Sequence, residues 1–185
     1  SDKSVQMSYD SNGMRTQKTV GGVKTNYYYD SDKNLIALVK GNDTLLFYYD
    51  SDGSATSFSY NGTMYFYVKN LQGDVVRIID LSGTEVASYV YDAWGNIKDT
   101  KGEPTIRELN PIRYRSYVYD TETGLYYLQS RYYDPLTGRF LNADDAEFIG
   151  KTGTALSGNI FAYCENNPIS CLLYTSPSPR DRSVS

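Results

Sequence analysis

Histidine is absent from the 185-residue chain, and a tier of chemistry goes with it. No Ser/His/Asp triad, Cys/His dyad or His-containing zinc site can be built within these residues. The two cysteines, Cys164 and Cys171, are too few for a disulfide framework, and Cys164 reads as a plain buried thiol. Apolar runs of ~18 residues are missing, which excludes a membrane span, and residues 1–20 contain no hydrophobic region of the signal-peptide kind. A basic excess is missing as well. With a net charge of -4 and a pI near 4.8, the chain has no electrostatic footprint for nucleic acid or anionic lipid. Any catalysis must rest on carboxylates, Lys, Tyr, Ser or Cys, and no cofactor is expected.

What the chain has is tyrosine: 20 of them, with 6 phenylalanines. Such side chains suit a pleated, half-buried surface and favour sheet over helix. They are also periodic. Tyr9-Asp10, Tyr29-Asp30 and Tyr49-Asp50 stand 20 residues apart, Lys69-Asn70 takes the next slot, and Tyr91-Asp92-Ala93-Trp94-Gly95 follows after 22. Gly21-Gly22, Gly41-Asn42, Asn61-Gly62 and Ser82-Gly83 lie near the middle of the intervals. Turn chemistry therefore recurs about every ten residues, which predicts an array of short antiparallel hairpins.

Entering each turn are i, i+2 aromatic pairs: Tyr27/Tyr29, Phe47/Tyr49, Tyr65/Tyr67, Tyr89/Tyr91 and Tyr117/Tyr119. The spacing places both rings on one sheet face, where successive hairpins would stack them into cross-strand aromatic ladders. Packing is the first reading of these tyrosines, and an exposed carbohydrate-stacking surface is the alternative. Asp30-Ser31-Asp32 and Asp50-Ser51-Asp52-Gly53 look like fragments of a calcium loop, but they lack the distal Glu and the full ligand spacing. The Asp side chains read as turn caps, and no metal site is expected.

A tandem Tyr-Asp-x-x-Gly unit at this spacing resembles the YD repeat of Rhs proteins, toxin-complex C components, bacterial wall-associated proteins and teneurins. The closer resemblance is to the Rhs repeat-associated core. It lies in Asn110-Pro111-Ile112-Arg113, in Tyr119-Asp120 with Gly124-Leu125-Tyr126-Tyr127, in Arg131-Tyr132-Tyr133-Asp134-Pro135 with Gly138-Arg139-Phe140, and in Asn166-Asn167-Pro168-Ile169. It implies an all-β fold, a ladder of hairpins forming part of a curved, shell-like sheet with a C-terminal core or plug. The implied role is structural: enclosing a C-terminal effector domain, with flanking repeats, secretion-system or cell-wall components as further partners, in a secreted or cell-surface bacterial protein.

The same resemblance implies an aspartyl self-cleavage site in some relatives, and it aligns Asp144 with the first aspartate. Here Asp145 stands where a proline is expected, and the second Asp-Pro-x-Gly segment is absent. Aspartyl chemistry needs two carboxylates sharing a proton, so this chain is expected to be catalytically silent, with Asp134 better read as a turn residue. The organisation expected is a hairpin array over 1–100, about nine strands, a loop at 101–109 and the core segment at 110–170. Residues 144–149 suggest a helical turn. Residues 171–185 break the pattern and read as a non-native or disordered tail, resembling translated adapter sequence appended to a truncated frame.

Overall fold

Each Tyr-Asp unit folds for local reasons visible in its hydrogen bonds. In the computed structural model, which describes residues 4–129 and 131–141, one carboxylate oxygen of Asp10 accepts from the backbone N–H groups of Asn12 and Met14. Asp30, Asp50, Asp80 and Asp92 repeat the pattern two and four residues on, and Asn70 does the same with its amide oxygen. The backbone carbonyl of the same residue accepts from the residue three positions on, which takes a positive φ: Gly13, Gly53, Gly73, Gly83 and Gly95. This is a tight turn closed by a left-handed residue, with a register shift beside it.

One unit breaks the rule. Lys33 occupies the left-handed position at φ 65°, where a side chain costs about 1–2 kcal/mol that glycine avoids. Lys33→Gly is therefore expected to raise the urea midpoint by an amount equivalent to roughly 0.5–1 kcal/mol, part of the relief being lost to the freer unfolded chain. The reverse change, Gly53→Lys, is expected to lower it similarly; unchanged midpoints for both would show the position to be unstrained.

Ten strands result: β1 (Val5–Tyr9), β2 (Arg15–Val20), β3 (Val23–Tyr29), β4 (Leu35–Lys40), β5 (Asp43–Tyr49), β6 (Ala55–Tyr60), β7 (Thr63–Lys69), β8 (Val75–Ile79), β9 (Glu85–Tyr91) and β10 (Ile97–Gly102). They pair in sequence order, each antiparallel to the next. A second, four-stranded antiparallel sheet follows: β11 (Val118–Asp120), β12 (Leu125–Leu128), β13 (Arg131–Asp134) and β14 (Arg139–Phe140).

Three expectations change. The array has ten strands rather than nine, because β10 continues to Gly102. Residues 101–109 are not a loop: after β10 comes α1 (Pro104–Leu109), whose first N–H groups are capped by Glu103 at Thr105 and Ile106. The proline and charges that suggest a loop are a helix start, with Pro at the first helical position and an acceptor before it. Finally, Ser82-Gly83 is no two-residue turn like Gly21-Gly22; it belongs to an Asp80-capped turn of the larger kind. Those extra residues account for the interval of 22 between Lys69 and Tyr91.

The paired aromatics Tyr27/Tyr29, Phe47/Tyr49, Tyr65/Tyr67 and Tyr89/Tyr91 all face one core. They do not form one continuous ladder. The intervening strands contribute Leu35 and Leu38 from β4 and Val75 and Ile78 from β8, so aromatic and aliphatic rows alternate. Rings meet across strands where β6 supplies Phe58, between Phe47 and Tyr65 or Tyr67, and in the second sheet at Tyr127–Tyr132, Tyr126–Tyr133 and Tyr133–Phe140. The repeat tyrosines also link neighbouring units. The Tyr29, Tyr49 and Tyr91 hydroxyls donate to the carbonyls of Arg15, Leu35 and Val75, each just beyond the preceding edge turn of this kind. In this way every such ring ties its unit to the one before. Where Lys69 replaces tyrosine, its ammonium reaches Ser54 in the previous turn instead.

Candidate functional site

The site with the most built-in chemistry is the seam where the second sheet lies against the ten-stranded one. At one end it captures the last Tyr-Asp turn. Three tyrosine hydroxyls from the core segment donate to three consecutive carbonyls: Tyr114 to Ala93, Tyr133 to Trp94 and Tyr126 to Gly95, at 2.7–2.8 Å. Asn96 completes the grip by donating to the Pro135 carbonyl. Gly95, at φ 90°, has no room for a side chain, since a Cβ there would stand 2.6 Å from the Tyr114 ring. Trp94 closes against Gly138 in the same way.

In the middle, Asn110 and Arg113 fill the space beneath β7 and β9. Buried Asn110 accepts from the Tyr67 hydroxyl at 2.7 Å and donates to the Ile112 carbonyl. Arg113 donates to the carbonyls of Asn110 and Arg107 and lies between the Tyr89 and Tyr119 rings at 4.9 and 4.7 Å. A buried arginine held by carbonyls and two ring faces has its charge answered without a carboxylate.

At the other end sits a buried charge cluster. Asp120 in β11 pairs with Arg15 in β2 through one oxygen and with Lys18 through the other at 2.8 Å, and Lys18 also reaches Glu122 at 2.7 Å. Arg15 is fully buried and Asp120 nearly so, at 0% and 1% exposure. The guanidinium lies 4.5 Å from the centres of both the Tyr27 and Tyr127 rings. Burial, the largest single influence, would lower the Arg15 and Lys18 pKa values, but the Asp120 carboxylate together with the acidic groups around it, Glu122 among them for Lys18, outweighs it and holds both cations above their ordinary values. Burial would likewise raise Glu122, yet the hydrogen bond and charge of Lys18 keep it below the usual carboxylate range.

These contacts measure how strongly the ten-stranded sheet bends. Tyr126 and Tyr127 are consecutive residues, yet the first bonds the Gly95 carbonyl beyond β9 and the second accepts from the Arg15 N–H in β2. Two tyrosine side chains and one Cα step can bridge at most about 22 Å. Seven strand spacings laid flat would separate β2 from β9 by about 34 Å. The sheet is therefore curled around the second one, its chord at most about two-thirds of its contour.

Among the remaining residues singled out in the sequence, Asp134 is a turn acceptor, taking the Leu136 N–H and the Thr137 hydroxyl. Leu125 opens β12; Arg131 lies over the Phe140 ring at 3.9 Å, while the neighbouring Arg139 is exposed in β14. Asp144, Asp145, Cys164, Cys171, the helical turn expected at 144–149 and the tail from 171 lie outside the described residues. Between the sheets is a cavity of about 220 Å³ bounded by Tyr29, Leu35, Tyr49, Ile112, Tyr117 and Leu128; no carboxylate lines it. Among the described residues no group of three or more Cys, Asp or Glu is placed to hold a metal ion, and no helix is long and apolar enough to cross a membrane. Arg15, Lys18 and Glu122 were not apparent in the sequence as site residues, because Arg15 and its partner Asp120 are 105 positions apart.

Residues 39–169 match the teneurin YD-shell family. The chain belongs to that family. Its fold, ten hairpin strands curled about a core sheet, is also found in the crystal structure of TcdB2-TccC3-TEV, with a TM-score of 0.70 at 20% identity over 96% of this chain and 9% of that one. Among curated relatives, the tRNA3(Ser)-specific nuclease WapA of Bacillus spizizenii is 44% identical over 164 residues, 87% of this chain. The tRNA nuclease WapA of Bacillus subtilis strain 168 is 43% identical over the same length. The double-stranded DNA deaminase toxin A of Burkholderia cenocepacia is 36% identical over 91 residues, 49% of this chain. This YD-shell chain spans about 7% of the length of the two nucleases it matches.

Proposed function

We propose that this chain is a wall segment of a shell that encloses a C-terminal effector, in a secreted or cell-surface bacterial protein. The observation that carries the reading is the curl: one small sheet grips both β2 and the turn after β9, and a strip held that way encloses space. Relatives named as nucleases and as a deaminase toxin carry this segment as a minor part of much longer chains. That supports a shared housing whose chemistry lies elsewhere. This segment then acts as structure, not as enzyme.

The test uses a longer gene product carrying this segment with repeats before it and an effector after it. The effector is expected to resist added protease and to lack activity while the shell is intact, and to become both cleavable and active when Asp120→Asn loosens the seam. An effector equally sensitive to protease in both proteins would sink the reading. The same protein addresses Asp144: if it is one of a self-cleaving pair in such a parent, Asp144→Asn abolishes separation of effector from shell. The carbohydrate-binding alternative now rests on few residues, since Tyr28 and Tyr48 are the tyrosines exposed within the repeat strands β3 to β9.

A further inference from the structure

Nearly every core tyrosine hydroxyl with a bonded partner donates its proton to a backbone carbonyl or an amide, as Tyr29, Tyr49, Tyr67, Tyr91, Tyr114, Tyr126 and Tyr133 do. Tyr9 and Tyr132 differ. Their hydroxyl oxygens lie 2.8 Å from each other, across 123 positions of sequence. Both also reach the Met7 sulfur, at 3.4 Å from Tyr9 and 3.0 Å from Tyr132. Here two phenols meet each other and a thioether, a weak acceptor, where the other core tyrosines meet a carbonyl or amide oxygen.

Access sets the pair apart as well. Tyr9 is 47% exposed on β1, the outermost described strand of the ten-stranded sheet, and Tyr132 is only partly buried. A diffusing oxidant can reach this pair, whereas Tyr126 and Tyr133 are fully enclosed. The phenol oxygens touch, and the ortho carbons that carry phenoxyl spin flank them. The exposed Tyr9 ring is the one that would turn to bring those carbons together.

We propose that Tyr9 and Tyr132 form an oxidative cross-linking site at which a one-electron oxidant of the peroxidase class joins the two rings as dityrosine. Each phenol gives up one electron to the oxidant and one proton to water, leaving two phenoxyl radicals. These couple through their ortho carbons to form one C–C bond, and the two ortho hydrogens then pass to the phenoxyl oxygens as both rings regain aromaticity. The balance is two phenols to one dityrosine with loss of two protons and two electrons, which reduce one hydrogen peroxide to two waters. The bond ties the edge strand of the repeat sheet to β13 of the core sheet.

The experiment treats the purified chain with horseradish peroxidase and limiting hydrogen peroxide, then digests it with trypsin. Cleavage after Lys3, Arg15, Arg131 and Arg139 places the two rings in peptides 4–15 and 132–139. The expected product is a blue-fluorescent conjugate of these peptides, two hydrogen masses lighter than their sum, formed in monomeric protein and at a rate independent of protein concentration. Tyr9→Phe and Tyr132→Phe each remove that conjugate; circular dichroism shows whether the variants stay folded, and the wild-type result stands without them. Dityrosine that forms only elsewhere, a 4–15/132–139 conjugate found only in dimers, its persistence in Tyr132→Phe, or no dityrosine at all would each overturn the assignment.

Discussion

Raising the pH above about 10 is expected to unfold this protein abruptly. Burial holds the hydroxyls of Tyr29, Tyr49, Tyr67, Tyr91, Tyr126 and Tyr133 well above the ordinary tyrosine value, and those of Tyr27 and Tyr89 are raised by the same cause. In the unfolded chain the same groups ionise near 10. A raised folded value means the stabilisation is fully present below the unfolded value and is lost as pH climbs toward the folded one. Each such tyrosine withdraws up to about 1.4 kcal/mol per pH unit in that window. A few acting together consume the roughly 5–15 kcal/mol that holds a domain folded within about one to two pH units. Tyrosinate absorbance and β-sheet circular dichroism should therefore change together in one steep transition. A gradual phenol titration that leaves the sheet signal intact would show these rings to be in contact with water.

The second large effect is expected from Asp120→Asn. It is nearly isosteric but leaves Arg15 and Lys18 buried with only Glu122 as counterion. Removing one partner from a buried pair costs about 3–5 kcal/mol because the other charge stays behind. With a urea slope of about 1–3 kcal/mol per molar, the midpoint should fall by more than about 1 M. Glu122→Gln, at the rim, should cost about 1 kcal/mol or less. If the two variants behave alike, the cluster is solvated and does not hold the seam.

The sheet was readable in the sequence wherever the cause is local. Asp10, Asp30, Asp50 and Asp92 cap turns made by their own next four residues, and alternation along Tyr27/Tyr29 or Phe47/Tyr49 fixes a face through the two-residue period of a strand. Glu103-Pro104 was local too, yet the same residues that end a strand also begin a helix, here one with Ile106 buried. The seam was not readable. Alternation tells which way Arg15 points and not that Asp120 will be waiting there, since that depends on how far the intervening strands bend. Nor does composition separate a tyrosine that merely packs from Tyr126 or Tyr133, whose hydroxyls hold a turn.

Five of the six register shifts in the ten-stranded sheet lie along one border, beside the turns that begin at Asp10, Asp30, Asp50, Asn70 and Asp92, and only the shift at Ile79 lies on the other. An extra residue inserted at each fold of one hem makes that hem longer, and each insertion adds bend and twist. Like a pleated fan, such a ribbon cannot be laid flat. Its curvature is written into the hem, so the sweep of the sheet's concave face follows from the number of pleats.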